Sequence, residues 1–256
     1  MVPVVKVEKV TVKFGGLIAL SEIDFCVNKG EITALIGPNG AGKTTLFNLL
    51  TGIYRPNSGA IYYKGQNINK LETFDRVKIG IARTFQNIRL IKNFTTLENV
   101  LVAHRLCNTE SILHSIFCSL ETRNKRSAVL QECLDALKIV GIETKKEELA
   151  SNLPYGEQRL VEIARAIATK CEVLLLDEPA AGMNAIEKKK LMELIKVLSK
   201  KHNIEIILIE HDINFVMELA DKIIVLDHGD KIAEGIGTEV KNNPKVISAY
   251  LGEEEE

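Results

Sequence analysis

The chain has 256 residues, 33 Lys and Arg against 34 Asp and Glu, and a net charge of −1. That length suits one large domain or a domain carrying a sizeable lobe, and the balanced charge excludes a global field drawing the chain onto nucleic acid or anionic lipid. Five scattered cysteines (Cys26, Cys107, Cys118, Cys133, Cys171) without C-x-x-C spacing predict buried or free thiols in a reducing compartment, and no apolar run approaches the ~20 residues of a membrane span, so a soluble protein is expected.

Residues 4–12 and 18–27 predict two strands of a small antiparallel sheet, joined at Gly15-Gly16. The strand-like alternation and charges of residues 1–12 argue against a signal peptide. A buried strand follows at residues 32–36. It runs into Gly37-Pro38-Asn39-Gly40-Ala41-Gly42-Lys43-Thr44, which fits G-x-x-x-x-G-K-[ST], and a helix is predicted over residues 43–50. Strand before and helix after is the context this pattern requires. The glycines let main-chain N–H groups converge on phosphate oxygens where side chains would block them. The helix start adds its positive dipole end. Lys43 reaches the outer phosphates and the Thr44 hydroxyl suits Mg²⁺, so the segment predicts binding of a nucleoside triphosphate.

Asn57-Ser58-Gly59 predicts a turn before a strand at residues 60–63. From about residue 90 to 153 helical spacing replaces strand signals, as over 97–106 and 128–140, where Leu130, Cys133, Leu134 and Leu137 share a face. This predicts a helical lobe inserted between two halves of a core. Helices at 160–169, 186–200 and 212–219 then alternate with strands at 172–176, 205–209, 222–226 and 231–234. The strands are near-continuous Val, Ile and Leu, which predicts an α/β fold on a mainly parallel sheet. The expected division is 1–89 for the first half of the core, 90–158 for the lobe and 159–256 for the second half. Basic runs at 123–126 and 188–190 are expected on solvated helix faces, and the acidic tail at 253–256 is expected to fray.

Asp177 and Glu178 end an apolar strand, which delivers them to the sheet edge that also carries the phosphate loop. Asp177 suits Mg²⁺, directly or through water, opposite Thr44. Glu178, turned to the other side, can polarise a water aimed at the terminal phosphate, an effect worth roughly 10²–10⁴ in rate. His211, in Glu210-His211-Asp212, ends a second apolar strand and can orient that water and the γ-phosphate. His104, His114, His202 and His228 lack such a setting. Gln86, in Arg83-Thr84-Phe85-Gln86-Asn87, lies at the junction of core and lobe, where its amide can touch Mg²⁺ or the water. Phe14, beside the glycine turn, can pack in the core or stack on adenine.

These pieces in this order resemble the ATP-binding subunit of an ABC transporter, over about residues 4–251. The resemblance rests most on Leu153-Pro154-Tyr155-Gly156-Glu157 and the helix continuing to Ala166, which stand where the family carries L-S-G-G-Q. It implies a P-loop NTPase core with an antiparallel β subdomain and an inserted helical lobe. It further implies that Leu153, Pro154, Tyr155, Gly156 and Glu157 of one subunit contact the γ-phosphate on a second subunit, itself or a paralogue. Phe14 would stack on adenine, and Gly37, Pro38, Asn39, Gly40, Ala41, Gly42, Lys43, Thr44 and Thr45 would hold the phosphates of ATP. Mg²⁺ would sit among Thr44, Gln86 and Asp177, with Glu178, His211 and Gln86 acting in hydrolysis.

The region from Gln86 to Ala103 would receive transmembrane permease subunits, placing the chain on the cytoplasmic face of the membrane. Three positions depart from the pattern: Pro154 for serine, Tyr155 for glycine and Asn184 for the aspartate after Glu178-Pro179. Segments 82–90, 96–103, 177–184 and 243–252 resemble the larger ATPase subunits of branched-chain amino-acid importers. ATPases for urea or amides, or for lipid export, share much of this pattern. A small-molecule P-loop kinase shares the phosphate loop but has no use for residues 153–166.

Overall fold

The computed structural model describes residues 2–104 and 120–251. Cys107, Cys118, His114, the end of the helix expected over 97–106 and the tail at 253–256 lie outside the described residues. Strands β1 (Val5–Phe14) and β2 (Leu17–Val27) pair antiparallel across Gly15 and Gly16. With β4 (Ser58–Tyr63) and β5 (Gln66–Asn67) they form a four-stranded sheet ordered β2-β1-β4-β5. Ser58 and Gly59, expected in a turn, belong to β4. Gly59 takes φ 81, with the position of a Cβ only 2.2 Å from the Lys9 carbonyl oxygen, where the β1–β4 register shifts. The glycine thus builds a bulge inside the sheet instead of ending it.

The second sheet contains β3 (Ile32–Ile36), β6 (Ile81–Arg83), β7 (Val173–Asp177), β8 (Glu205–Ile209), β9 (Lys222–Asp227) and β10 (Asp230–Gly235), ordered β10-β9-β3-β8-β7-β6. All neighbours pair parallel except β10 with β9. Every residue of β3, β7 and β8 is buried, as two-sided packing of a parallel sheet demands. Helix α1 (Lys43–Leu50) follows β3. The short α2 (Thr73–Lys78), which the sequence pattern did not predict, leads into β6.

The lobe carries α3 (Thr96–Ala103) and α4 (Leu120–Ile139), packed on α5 (Tyr155–Ala168). Thr95 and Glu98 close a capping box at the start of α3. Helix α5 starts five residues before the predicted helix and runs unbroken past residue 158, so lobe and core share it. Cys133, Ala136, Leu137 and Val140 of the lobe join Val161, Ile163 and Ala164 of α5 in one buried cluster with the inner faces of β7 and β8. Helices α6 (Ala185–His202), α7 (Ile213–Leu219), α8 (Gly237–Lys241) and α9 (Pro244–Leu251) complete the chain. The expected α/β architecture, with mainly parallel sheet, antiparallel subdomain and helical lobe, is the one adopted. Among the described residues Cys26 and Cys171 are free thiols, and no helix is long and apolar enough to cross a membrane.

Candidate functional site

Register sets the site. Leu35 of β3 and Asp177 of β7 both pair with Ile209 of β8, so three strand ends stand level at the carboxyl edge of the sheet. Beyond them lie the phosphate loop, Glu178 and His211. At Gly37, with φ 149, a Cβ would stand 2.1 Å from the Leu226 carbonyl oxygen. At Gly42, with φ 101, it would meet Leu20 Cδ2 at 2.7 Å and the Ala19 carbonyl oxygen at 2.8 Å. No other residue fits either position. Gly42 is also the N-cap of α1, so the helix opens directly off the loop.

Lys43 is buried, and its Nζ donates to the carbonyl oxygens of Gly37 at 2.7 Å and Pro38 at 2.8 Å. The loop thereby holds its own cation. Burial pushes the Lys43 pKa below the usual lysine value, and the nearby Glu178 carboxylate opposes that shift.

A cleft of about 510 Å³ is lined by Phe14, Asn39, Gly40, Ala41, Gly42, Lys43, Thr44, Thr45, Gln86, Glu178 and His211. Residues from five distant segments therefore meet in one place. Leu17, Ile18, Ala19 and His228 line it too, and no sequence signal marked them. Phe14 is 45% exposed and stands edge-on to Tyr54, with ring centroids 5.1 Å apart. It is a free aromatic face at the cleft wall, not a core side chain.

The adjacent carboxylates diverge. Asp177 is buried, and its Oδ2 accepts from Arg83 at 2.6 Å, while Arg83 also donates to Asn48 Oδ1 at 2.7 Å. Glu178 adopts φ 48, a left-handed conformation uncommon for a side-chain-bearing residue and typical of strained functional sites. Its N–H donates to the Ile209 carbonyl at 2.9 Å. Gln86 Nε2 donates to Glu178 Oε2 at 2.9 Å, and His211 Nε2 lies 2.9 Å from Glu178 Oε1. Both oxygens of the carboxylate are thus fixed. Glu210, buried one strand over, accepts from the main chain of Ala180 at 2.7 Å and pins the turn after Glu178; burial raises its pKa.

Leu153, Pro154, Tyr155, Gly156 and Glu157 do not line this cleft. Pro154 is the N-cap of α5 and offers no side-chain cap, Leu153 is buried, and Glu157 pairs with Lys145 at 2.6 Å. The Tyr155 ring lies against Gly182, where a Cβ would come within 3.3 Å of it. Asn184, in the aspartate position of the resemblance, caps α6 by accepting from Ile186 and Glu187 N–H at 3.0 Å each.

Four further residues hold the site and escaped sequence reasoning: Arg83, Glu210, Arg159 and Tyr250. Arg159 is fully buried against the main chain of Phe85 and Gln86. On α9, burial raises the Tyr250 pKa, and the nearby Gly37 main chain opposes that shift. A second cleft, of about 700 Å³, separates Pro38, Asn39 and Ala41 from Pro244, Lys245 and Ser248 of that helix. Among the described residues no cluster of three or more His, Cys, Asp and Glu could hold a metal, so a divalent cation here would draw on the Asp177 carboxylate together with hydroxyl, amide and phosphate oxygens.

A family model described as ABC transporter matches residues 20–181, and one described as branched-chain amino acid ATP-binding cassette transporter matches residues 231–256. The chain is 42% identical over 251 residues to the high-affinity branched-chain amino acid transport ATP-binding protein LivG of Escherichia coli (strain K12), covering 98% of each chain. A solved ATP-binding cassette of an ABC transporter in its ADP conformation superposes with a TM-score of 0.85 at 31% identity, over 99% of this chain and 100% of that one. A dimeric cassette in a post-hydrolysis state, bound to ADP and Pi, superposes with a TM-score of 0.71 at 28% identity, over 91% and 98%.

Proposed function

The chain belongs to the ABC transporter family of ATP-binding subunits, and from that membership we propose that it hydrolyses ATP to power import of branched-chain amino acids through permease subunits. The observation that carries the solute class is likeness over 98% of both chains to a branched-chain amino acid transport ATPase, together with the C-terminal match at 231–256.

Phe14 stacks on the adenine, and the loop from Gly37 to Thr45 wraps the phosphates with Lys43 on the outermost. A water held between Glu178 and His211 attacks the γ-phosphorus, the bond to the β–γ bridging oxygen breaks, and ADP leaves with that oxygen. The water proton passes to Glu178. Gln86 and His211 keep that carboxylate aimed, which is the role their two bonds to it support. The donor set suits Mg²⁺. Thr44 lines the cleft, Gln86 spends its amide N–H on Glu178 and keeps its oxygen, and Asp177 keeps Oδ1 free of Arg83. When bound there, the cation would neutralise phosphate charge as it develops.

The residues from Leu153 to Glu157 stand outside the chain's own cleft and in this reading reach the γ-phosphate on a second subunit, closing a dimer on two ATP molecules. Permease subunits dock between Gln86 and Ala103, where Ile91, Phe94 and Val102 are exposed beside Phe85. The chain then works at the cytoplasmic face of the membrane, with its parts at 1–89, 90–158 and 159–256 serving as core, lobe and core. Proteoliposomes holding the chain with its co-purifying membrane subunits should show ATPase stimulated by leucine, isoleucine or valine. Stimulation by urea or short amides alone would overturn the solute assignment.

A further inference from the structure

Arg159 sits one turn into α5, and its guanidinium is fully buried. One terminal nitrogen donates to the Phe85 carbonyl and to Glu162 Oε2, both at 2.6 Å. The other donates to the Gln86 carbonyl at 2.8 Å and to the Tyr155 hydroxyl at 3.2 Å. Glu162 closes the ring by accepting from the Phe85 N–H at 3.3 Å. Residues 85–89 form no helix or strand, so these buried groups fix the main chain that carries Gln86.

From Gln86 the connection continues through its amide to Glu178 and on to His211. A single path of hydrogen bonds thus runs from Tyr155, in the middle of the segment that would face the partner's nucleotide, through Gln86 to the carboxylate that would activate water. A buried Arg–Glu pair gives little net stability over apolar side chains of equal volume, and the Arg159 Nε finds no partner. Stability is therefore a weak reason for an arginine here. The directed fork of donors onto Phe85, Gln86 and Tyr155 is a better one.

We propose that Arg159, steadied by Glu162, is a positioning residue for hydrolysis. It sets the Gln86 main chain so that the amide reaches Glu178, and it ties that reach to the position of Tyr155. This rests on Glu178 being the base, and the two ideas fail separately. Glu178→Gln tests the base by itself: wild-type turnover in that variant removes the base, whatever Arg159 does.

The positioning role is tested by a cycle of Arg159→Lys and Gln86→Ala, read as steady-state ATPase of the full chain with its membrane partners. Lysine keeps the charge and loses the fork, so kcat should fall about tenfold or more while KM for ATP moves less than about twofold. In the Gln86→Ala background the same substitution should change kcat less than about twofold, because its route to Glu178 is already cut. Equal losses in both backgrounds, or no loss in the first, would overturn the proposal.

If Arg159→Lys loses its cooperative melting transition, Arg159→Met with Glu162→Leu replaces it in the cycle. Unfolding of that variant as well would assign the pair to the fold and also overturn the proposal. Tyr155→Phe removes only a hydroxyl from an exposed ring, and should lower kcat about two- to fivefold in wild type but not in Arg159→Lys. An unchanged kcat would cut Tyr155 from the path.

Discussion

Glu178 shows how a single position is prepared for chemistry. Its backbone is held at φ 48, and each carboxylate oxygen already has a partner, Gln86 on one and His211 on the other. A carboxylate so fixed presents its lone pairs in set directions. Glu178→Gln keeps the shape and removes the proposed base, so turnover should fall at least about 100-fold while ATP binding stays within about twofold. Phosphate release and equilibrium dialysis measure the two. Lys43 makes the complementary case. Its ammonium is buried and leans on two loop carbonyls, so it is oriented before any phosphate arrives. Lys43→Ala removes a charge-assisted contact of about 1.5–3 kcal/mol and should weaken ATP affinity about tenfold or more. Undiminished binding by dialysis would take the phosphate loop out of the account.

At the scale of elements, α1 depends on a residue from α2. Arg76 is fully buried, and its guanidinium donates to the carbonyls of Leu49, Leu50 at 2.9 Å, Ile68 at 2.8 Å and Leu71 at 3.2 Å. Leu49 and Leu50 are the last residues of the helix that springs from the phosphate loop, where a cation satisfies exposed carbonyls and opposes the dipole. Arg76→Met would orphan these acceptors at about 1–3 kcal/mol each, and thermal melting should report a loss of about 3 kcal/mol or more. The start of α5 is poorly served by comparison, since Pro154 supplies no capping oxygen. Pro154→Ser should gain about 0.5–1 kcal/mol in melting and strengthen ATP-dependent dimerisation in light scattering. No change in either would make the substitution neutral.

Across the whole molecule, the parts legible from sequence were those whose requirements are local. The phosphate loop follows from Gly37 and Gly42, which no other residue can replace, and the strand ends follow from apolar runs stopping at Asp177 and Ile209. The architecture follows from the alternation of such runs with helical spacing. What stayed hidden are partnerships across long stretches of chain, such as Arg83 with Asp177, 94 residues apart, and Arg159 with Gln86, 73 apart. Among 33 Lys and Arg, nothing in the neighbouring residues separates a buried arginine from a solvated one. The bulge at Gly59 stayed hidden for the same reason, because it depends on where β1 lies.

These cross-chain ties decide how the molecule moves as a unit. In the proposed dimer, ATP would drive closure only by binding the closed pair better than the open one, and the ties from Gln86 to α5 would carry closure to Glu178. Helix α9 borders the loop as well, since Pro244, Lys245 and Ser248 line one cleft with Pro38, Asn39 and Ala41. Helix α9 therefore lies close to the proposed nucleotide grip. Cargo hung from α9, such as a fluorescent fusion, would tug on the loop proposed to hold ATP.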